Sequence, residues 1–268
     1  MPTTHTFAGH DGLDLQLDVY SPTAVGPHPG VILMHGGGWR VGNRGEFGSL
    51  ATSRPRFFAD LADAGLVAIS VDYRLSTQAT WPAQLEDVRL AARWVAEHAG
   101  ALGVDPSRIG LWGESAGGHL ASMLALAGQF PGEPRLDVRA VVAWYAPANL
   151  ATMGAQRRPD ALANADDEDS REAQLLGRAV QDDLALTSAA SPVRHVGPEA
   201  PAFLLVHGDH DRLVPVGQST ELAAELTGAG NPDVTVEVVP GADHLWRGVA
   251  DPGAIVDRSR DWLLARLS

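Results

Sequence analysis

Residues 113–117 read Gly113-Glu114-Ser115-Ala116-Gly117, a serine with a glycine two residues to either side. A serine hydroxyl becomes a nucleophile when an adjacent base takes its proton. The apolar run Ile109 to Trp112 enters this segment, and the helix formers His119 to Leu124 leave it. A strand turning sharply into a helix presents the serine oxygen above a sheet. It also sits at a helix N-terminus, where developing negative charge is favoured. A second segment, His35-Gly36-Gly37-Gly38-Trp39, follows the apolar run Val31 to Met34. Three consecutive glycines leave backbone N–H groups uncovered, and such groups bind a carbonyl oxygen as it becomes an oxyanion. A phosphate loop is the rival reading, but the Walker lysine and the Gly-x-Gly-x-x-Gly spacing are both missing.

Such a serine needs a histidine base, and ten histidines are available. His119 lies on the helix behind Ser115 and is expected to point elsewhere. His35 opens the glycine loop and reads as an orienting hydrogen-bonder. His244, in Pro240-Gly241-Ala242-Asp243-His244, follows the β-rich run 234–239 on a loop of the kind where α/β sites collect. The acid is expected after the preceding apolar run 203–206, in His207-Gly208-Asp209-His210-Asp211-Arg212. The chain order Ser115, Asp211, His244 is that of α/β-hydrolases and not of trypsin-like or subtilisin-like enzymes.

These residues need a scaffold, and 268 residues fit one large α/β domain or two small ones. Residues 13–19 alternate apolar and polar, the pattern of a half-buried antiparallel strand, with about a dozen residues before it. The runs 31–34, 67–71, 138–144 and 203–206 are continuously apolar, as suits parallel strands covered on both faces. Pro82 opens a helical pattern whose stripe is Leu85, Val88, Ala92 and Val95; Ile255, Trp262, Leu263 and Leu267 form another. Alternating β and α predicts a single domain over 1–268: a doubly wound, mostly parallel sheet with antiparallel N-terminal strands. Only residues 146–192 break the rhythm. They show no strand, an acidic cluster of Asp166, Asp167, Glu168, Asp169 and Glu172, and a short helical piece near 173–180. A connection this long reads as a lid or excursion, here over 151–190.

Composition narrows the chemistry. There is no cysteine, which removes disulfides, thiolate metal sites and thiol nucleophiles. All 20 basic residues are arginine, so no lysine Schiff base can form. A net charge of −13 opposes nucleic-acid and anionic-membrane partners. The N-terminal residues carry no basic and apolar leader pattern, and no run reaches the length of a membrane span, so a cytoplasmic location is expected.

With these motifs the chain resembles an α/β-hydrolase of the esterase/lipase type, close to hormone-sensitive-lipase-like and feruloyl-esterase-like bacterial carboxylesterases. The likeness runs through Asp72-Tyr73-Arg74-Leu75, Trp81-Pro82-Ala83-Gln84-Leu85-Glu86-Asp87, Asp105-Pro106-Ser107-Arg108-Ile109, Ser191-Pro192-Val193 and His207-Gly208-x-x-Asp211-x-x-Val214-Pro215. The resemblance implies Ser115 as nucleophile, His244 as base and Asp211 as acid. It also implies oxyanion donors at Gly37, Gly38 and Ala116. It calls for no metal and no cofactor. Asp209, directly after the Gly208 turn, is expected to bond the loop backbone instead.

Trp39, just after the oxyanion glycines, is expected to wall a substrate pocket, and Glu114 to hydrogen-bond beneath the turn. Asp72, Asp87 and Asp105 read as structural, in turn bonding, helix-face pairing and helix capping respectively. The expected reaction is hydrolysis of a small short-acyl ester through an acyl-enzyme. Amide cleavage of the arylformamidase or prolyl-peptidase type is the alternative, as is a hydrolase-fold receptor that binds without turnover. The His-Gly-Gly-x-Trp form is similar to that of arylformamidases.

Overall fold

The computed structural model of the chain describes residues 1–10, 12–48, 50, 54–128, 130 and 132–268. Asp11, just before the strand read at 13–19, lies outside the described residues. The strands are β1 (Thr3–His10), β2 (Leu13–Tyr20), β3 (His28–Met34), β4 (Val67–Val71), β5 (Val104–Glu114), β6 (Val138–Trp144), β7 (Ala202–Gly208) and β8 (Val234–Val239). They form one sheet in the order β1-β2-β4-β3-β5-β6-β7-β8. The β1/β2 and β2/β4 pairings are antiparallel and all others are parallel. This is the doubly wound, mostly parallel sheet with antiparallel N-terminal strands that the sequence predicts.

The helices are α1 (Phe57–Asp63), α2 (Ala83–Leu102), α3 (Ala116–Leu126), α4 (Leu150–Gln156), α5 (Arg171–Leu176), α6 (Leu184–Ala189), α7 (Gly217–Gly228) and α8 (Pro252–Leu267). The continuous apolar strands alternate between two cores. Ile32, Met34, Ile69 and Val71 face Leu85, Val88 and Val95 of α2 and Leu120 of α3. Val31, Leu33 and Ala68 face Phe57 and Leu61 of α1 and Ile255 and Leu263 of α8. Side chains alternate across a strand, so a strand sandwiched between helices must be apolar at every position. Each large side chain buried this way contributes roughly 1.5–3 kcal/mol.

Two expectations need correction. β1 starts at Thr3, where the sequence reading saw no strand. It is an edge strand with exposed or half-buried side chains, so it carries no apolar signature. Its partners are the β2 backbone and, through His5, the Trp94 ring at 5.1 Å. Asp105 caps no helix. α2 ends at left-handed Gly103, and Asp105 accepts instead from the Ser107 N–H (3.0 Å) and Oγ–H (2.6 Å) at the start of β5.

Asp72 and Asp87 do take structural duty. Asp72 accepts from the Arg44 N–H at 2.9 Å, and buried Asp87 accepts from the Arg74 N–H and guanidinium, both at 2.8 Å.

The 146–192 excursion holds three short helices, α4, α5 and α6, where the sequence shows one piece near 173–180. The sequence groups Glu172 with the acidic cluster. It is in fact buried, while Asp167, Glu168 and Asp169 are exposed. No helix among the described residues is long and apolar enough to cross a membrane.

Candidate active site

Parallel strands all end on one edge of the sheet, so the loops after β3, β5, β7 and β8 meet there. The β5–α3 turn carries Ser115 at φ 52° and ψ −120°, a left-handed conformation costly for any residue with a Cβ. The flanking glycines have a steric cause. A Cβ on Gly113 would overlap the Gly117 carbonyl, and one on Gly117 would overlap the Met34 carbonyl of β3. The turn is pinned where Ser115 N–H donates to the Trp144 carbonyl of β6 at 2.8 Å.

His244 stands in the loop after β8, and its Nε2 lies 3.1 Å from Ser115 Oγ. Its Nδ1 lies 2.7 Å from Asp211 Oδ2 in the loop after β7. A carboxylate accepts only, so Nδ1 carries the hydrogen and Nε2 is left free to accept from the serine. Asp211 Oδ1 accepts from the Leu213 and Val214 N–H groups at 2.8 and 2.9 Å, which fixes the carboxylate plane. Burial opposes the charge on Asp211, but hydrogen bonds from His207 and His244 outweigh it and hold the carboxyl below the usual aspartate range. Asp211 therefore stays ionised wherever the protein is folded near neutrality. Asp209 does not join this line. It accepts from the Gly241 N–H at 2.7 Å and pairs with His210.

Ser115, His244, Gly37, Gly38, Ala116 and Trp39 line one cavity of about 190 Å³. The N–H groups of Gly37, Gly38 and Ala116 donate to no protein acceptor among the described residues. Gly37 has φ 106°, and a Cβ there would overlap the Val41 carbonyl, so the glycine is required by a tight turn. Trp39 is fully buried and walls the cavity while packing into the core. Its Nε1–H donates to His119 Nδ1 at 3.3 Å. His119 Nε2–H in turn donates to the Ala190 carbonyl at 2.7 Å, so this histidine is neutral and turned away from Ser115. Burial lowers its pKa to about 4. His35 hydrogen-bonds the Gly36 carbonyl at 2.7 Å and stacks on Tyr73 at 4.3 Å; burial lowers its pKa also to about 4.

Glu114 is buried beneath the turn. Its Oε1 accepts from the Gly36 N–H and its Oε2 from the Tyr145 hydroxyl, both at 2.9 Å. Burial raises its pKa above the usual glutamate value. Tyr145 lies against the His244 ring at 4.6 Å, so one carboxyl ties the glycine loop to the face of the histidine. Sequence reasoning missed Tyr145, and a lone tyrosine after an apolar strand carries no signal for this contact. It also missed the Arg212–Asp243 pair, in which Asp243 accepts from Arg212 Nε at 2.9 Å and from the His244 N–H at 2.8 Å. That pair clips the two loops that bring Asp211 and His244 together.

Among the described residues, the non-glycines with positive φ are Trp39, Ser115, Tyr145, Leu245 and Trp246. Trp39, Ser115 and Leu245 line the cavity, and Tyr145 and Trp246 pack against each other behind His244. Strained backbone gathers where packing holds functional groups in position. Met153, Arg171 and Glu172 of the excursion also line the cavity. No group of three or more His, Asp or Glu side chains among the described residues is arranged to hold a metal.

The arrangement has known counterparts. The BD-FAE family model matches residues 17–226. Esterase LipQ of Mycobacterium tuberculosis is 30% identical over 255 residues, covering 89% of this chain and 56% of LipQ. The chain spans about half the length of the first curated relatives it matches. A truncated carbohydrate esterase from gut microbiota superposes with a TM-score of 0.80 at 26% identity, covering 99% of this chain and 96% of the other. Thermogutta terrifontis esterase 2 phosphonylated by cyclosarin does so with a TM-score of 0.76 at 25% identity, covering 98% and 94%.

Proposed function

The chain belongs to the BD-FAE family and has the α/β-hydrolase fold; from that premise we propose that it is a serine carboxylesterase for small, short-acyl esters. The observation that carries the reading is the unbroken line from Asp211 through His244 to Ser115, ending beside three free backbone donors. In this reading His244 Nε2 takes the Ser115 proton as Oγ attacks the ester carbonyl. The N–H groups of Gly37, Gly38 and Ala116 hold the oxyanion. Asp211 keeps the Nδ1–H tautomer and stabilises the imidazolium. His244 then protonates the leaving alcohol, and water attacks the acyl-enzyme with the same histidine as base. These steps use no metal and no cofactor.

A cavity of about 190 Å³ walled by buried Trp39 is small for a ligand site, which supports a short acyl chain. In this reading the excursion 151–190 is a lid within one domain, supported by Met153, Arg171 and Glu172 lining the cavity. That relatives are named esterases supports the ester reading over the amide one. A cytoplasmic location belongs to the same proposal on the sequence alone, and immunoblotting of cell fractions tests it.

The deciding experiment is a p-nitrophenyl ester series of rising acyl length, with N-formylkynurenine and an aminoacyl-proline amide beside it. Acetyl to hexanoyl esters are expected to be cleaved best, and Ser115→Ala to lose on the order of a millionfold in kcat. Faster turnover of either amide, an optimum at about ten carbons or more, or a Ser115→Ala enzyme within tenfold of wild type overturns the reading.

A further inference from the structure

Arg171, the first residue of α5, sends its side chain across the glycine loop. A Cβ on Gly38 would collide with Arg171 Cδ and lie 3.1 Å from its Nε, so the bare glycine is what admits the arginine stem. Arg171 and Arg40 both line the cavity that holds Ser115, and both are half-buried. Arginines elsewhere in this acidic chain are typically paired with carboxylates, as in Arg44–Asp72 at 2.8 Å, Arg74–Asp87 at 2.8 Å and Arg266–Asp233 at 2.7 Å. Among the described residues, Arg171 and Arg40 make no ion pair within 4 Å and no side-chain hydrogen bond. The carboxyl that lines the cavity with them is Glu172, next to Arg171 in the chain. It is buried, and burial pushes its pKa up against the pull of Arg171 and Arg40. One such carboxyl cannot balance two guanidinium groups, so the cavity carries a positive excess inside a chain of net charge −13.

A guanidinium in a cavity wall with no protein acceptor keeps its donors free for a ligand. A planar carboxylate suits it, because its two oxygens match the parallel N–H groups of the arginine fork. We propose that the cavity selects esters bearing a carboxylate, held by Arg171 and Arg40 beside the glycine loop. The inference rests on the ester-hydrolase reading and names its substrate class. It places the acidic run Asp167 to Asp169 on the outer surface, where it does not contact the substrate.

Two matched pairs of esters test it, one for each side of the scissile bond. Monomethyl succinate against methyl levulinate places the charge on the acyl side; 4-acetoxybenzoate against 4-acetoxybenzamide places it on the alcohol side. In at least one pair the anionic ester is expected to have a kcat/KM about tenfold above its neutral partner, chiefly through KM, as suits a charge-assisted hydrogen bond. Arg171→Gln and Arg40→Gln are each expected to lower that ratio several-fold, and Arg171→Lys to keep part of it. Arg135→Gln, an exposed arginine at the opposite edge of the sheet, is expected to leave the ratio unchanged. Ratios at or below one in both pairs overturn the inference while leaving the ester-hydrolase reading intact, as does a preference that survives both Gln substitutions. Failure to turn over any of the four esters overturns the ester-hydrolase reading itself.

Discussion

Ser115, His244, Asp211 and Gly37 sit at the ends of parallel strands, whereas Met153, Arg171 and Glu172 reach the same cavity from helices of six and seven residues. The strand-end groups are held by backbone sterics. Glycines 113 and 117 admit one path for the turn, and the Ser115 N–H is bonded into the neighbouring strand. The excursion is held by side chains instead, through Leu175, Leu176 and Val180 buried in the core and bonds such as Gln181 to Asp166 at 2.8 Å and the Ser170 cap on α5 at 3.0 Å. Helices this short do not form alone. Proton transfer needs heavy atoms within about 3 Å of each other, so chemistry belongs on the rigid part. Substrate choice tolerates looser placement and can be carried by loops.

The sharpest way to break this contrast lies within one strand-end loop. Asp211→Asn is expected to lower kcat by roughly 10⁴-fold, because an amide in its place presents an N–H to Nδ1 and favours the wrong histidine tautomer. Asp209→Asn, two residues away, is expected to stay within about threefold, since its carboxylate serves only the loop backbone and His210. Comparable losses for the two variants would mean that position in the loop, and not contact with His244, is what matters.

His119 joins the two parts, since it accepts from Trp39 and donates to Ala190 at the end of α6. Protonating it would put a hydrogen where Trp39 already donates. Its pKa is about 4 in the fold and about 6.5 when unfolded, so the unfolded chain binds the extra proton between those values. Stability from this residue is therefore present above about pH 6.5 and lost as pH falls toward 4, on the order of 3 kcal/mol in all. His119→Gln keeps an acceptor and a donor but does not titrate. Urea unfolding at pH 7.5, 6 and 4.5 is expected to show the variant gaining on wild type as pH falls. A constant difference between the two would contradict a buried neutral imidazole at the joint.

Glu114 tests how rigid the strand-end part must be. Glu114→Gln keeps the shape but cannot accept from both Gly36 and Tyr145 as the carboxyl does. The expected loss is about tenfold in kcat with KM little changed, as for a slightly misplaced oxyanion loop. A loss confined to KM would move Glu114 from positioning to substrate binding.

The smallest effect is expected where the excursion faces solvent. Neutralising Asp167, Glu168 and Asp169 together, to Asn, Gln and Asn, should change kcat/KM by less than about threefold. A larger effect on a neutral ester would show that the outer charges reach the cavity.

The sheet was legible because its central strands carry continuous apolar runs, separated by amphipathic helices. The polar edge strand Thr3–His10 was not, because its ladder is made with the β2 backbone and its exposed or half-buried side chains leave no apolar pattern. Gly113-x-Ser115-x-Gly117 and the 35–39 glycines were legible because no other residue fits those contacts, so the backbone demand is written in the residue type. His244 and Asp211 were legible through their order after the last two strands. Tyr145, the Arg212–Asp243 clip and Arg171 were not. What they touch stands tens of residues away, and an arginine or tyrosine carries the same letter whether it faces water or a cavity. By itself the sequence determined which backbone positions can turn and which strands are covered on both faces, because sterics and burial act on neighbouring residues. Only the tertiary structure decided which guanidinium groups lack a partner beside Ser115, because ion pairing depends on distance in space and not along the chain.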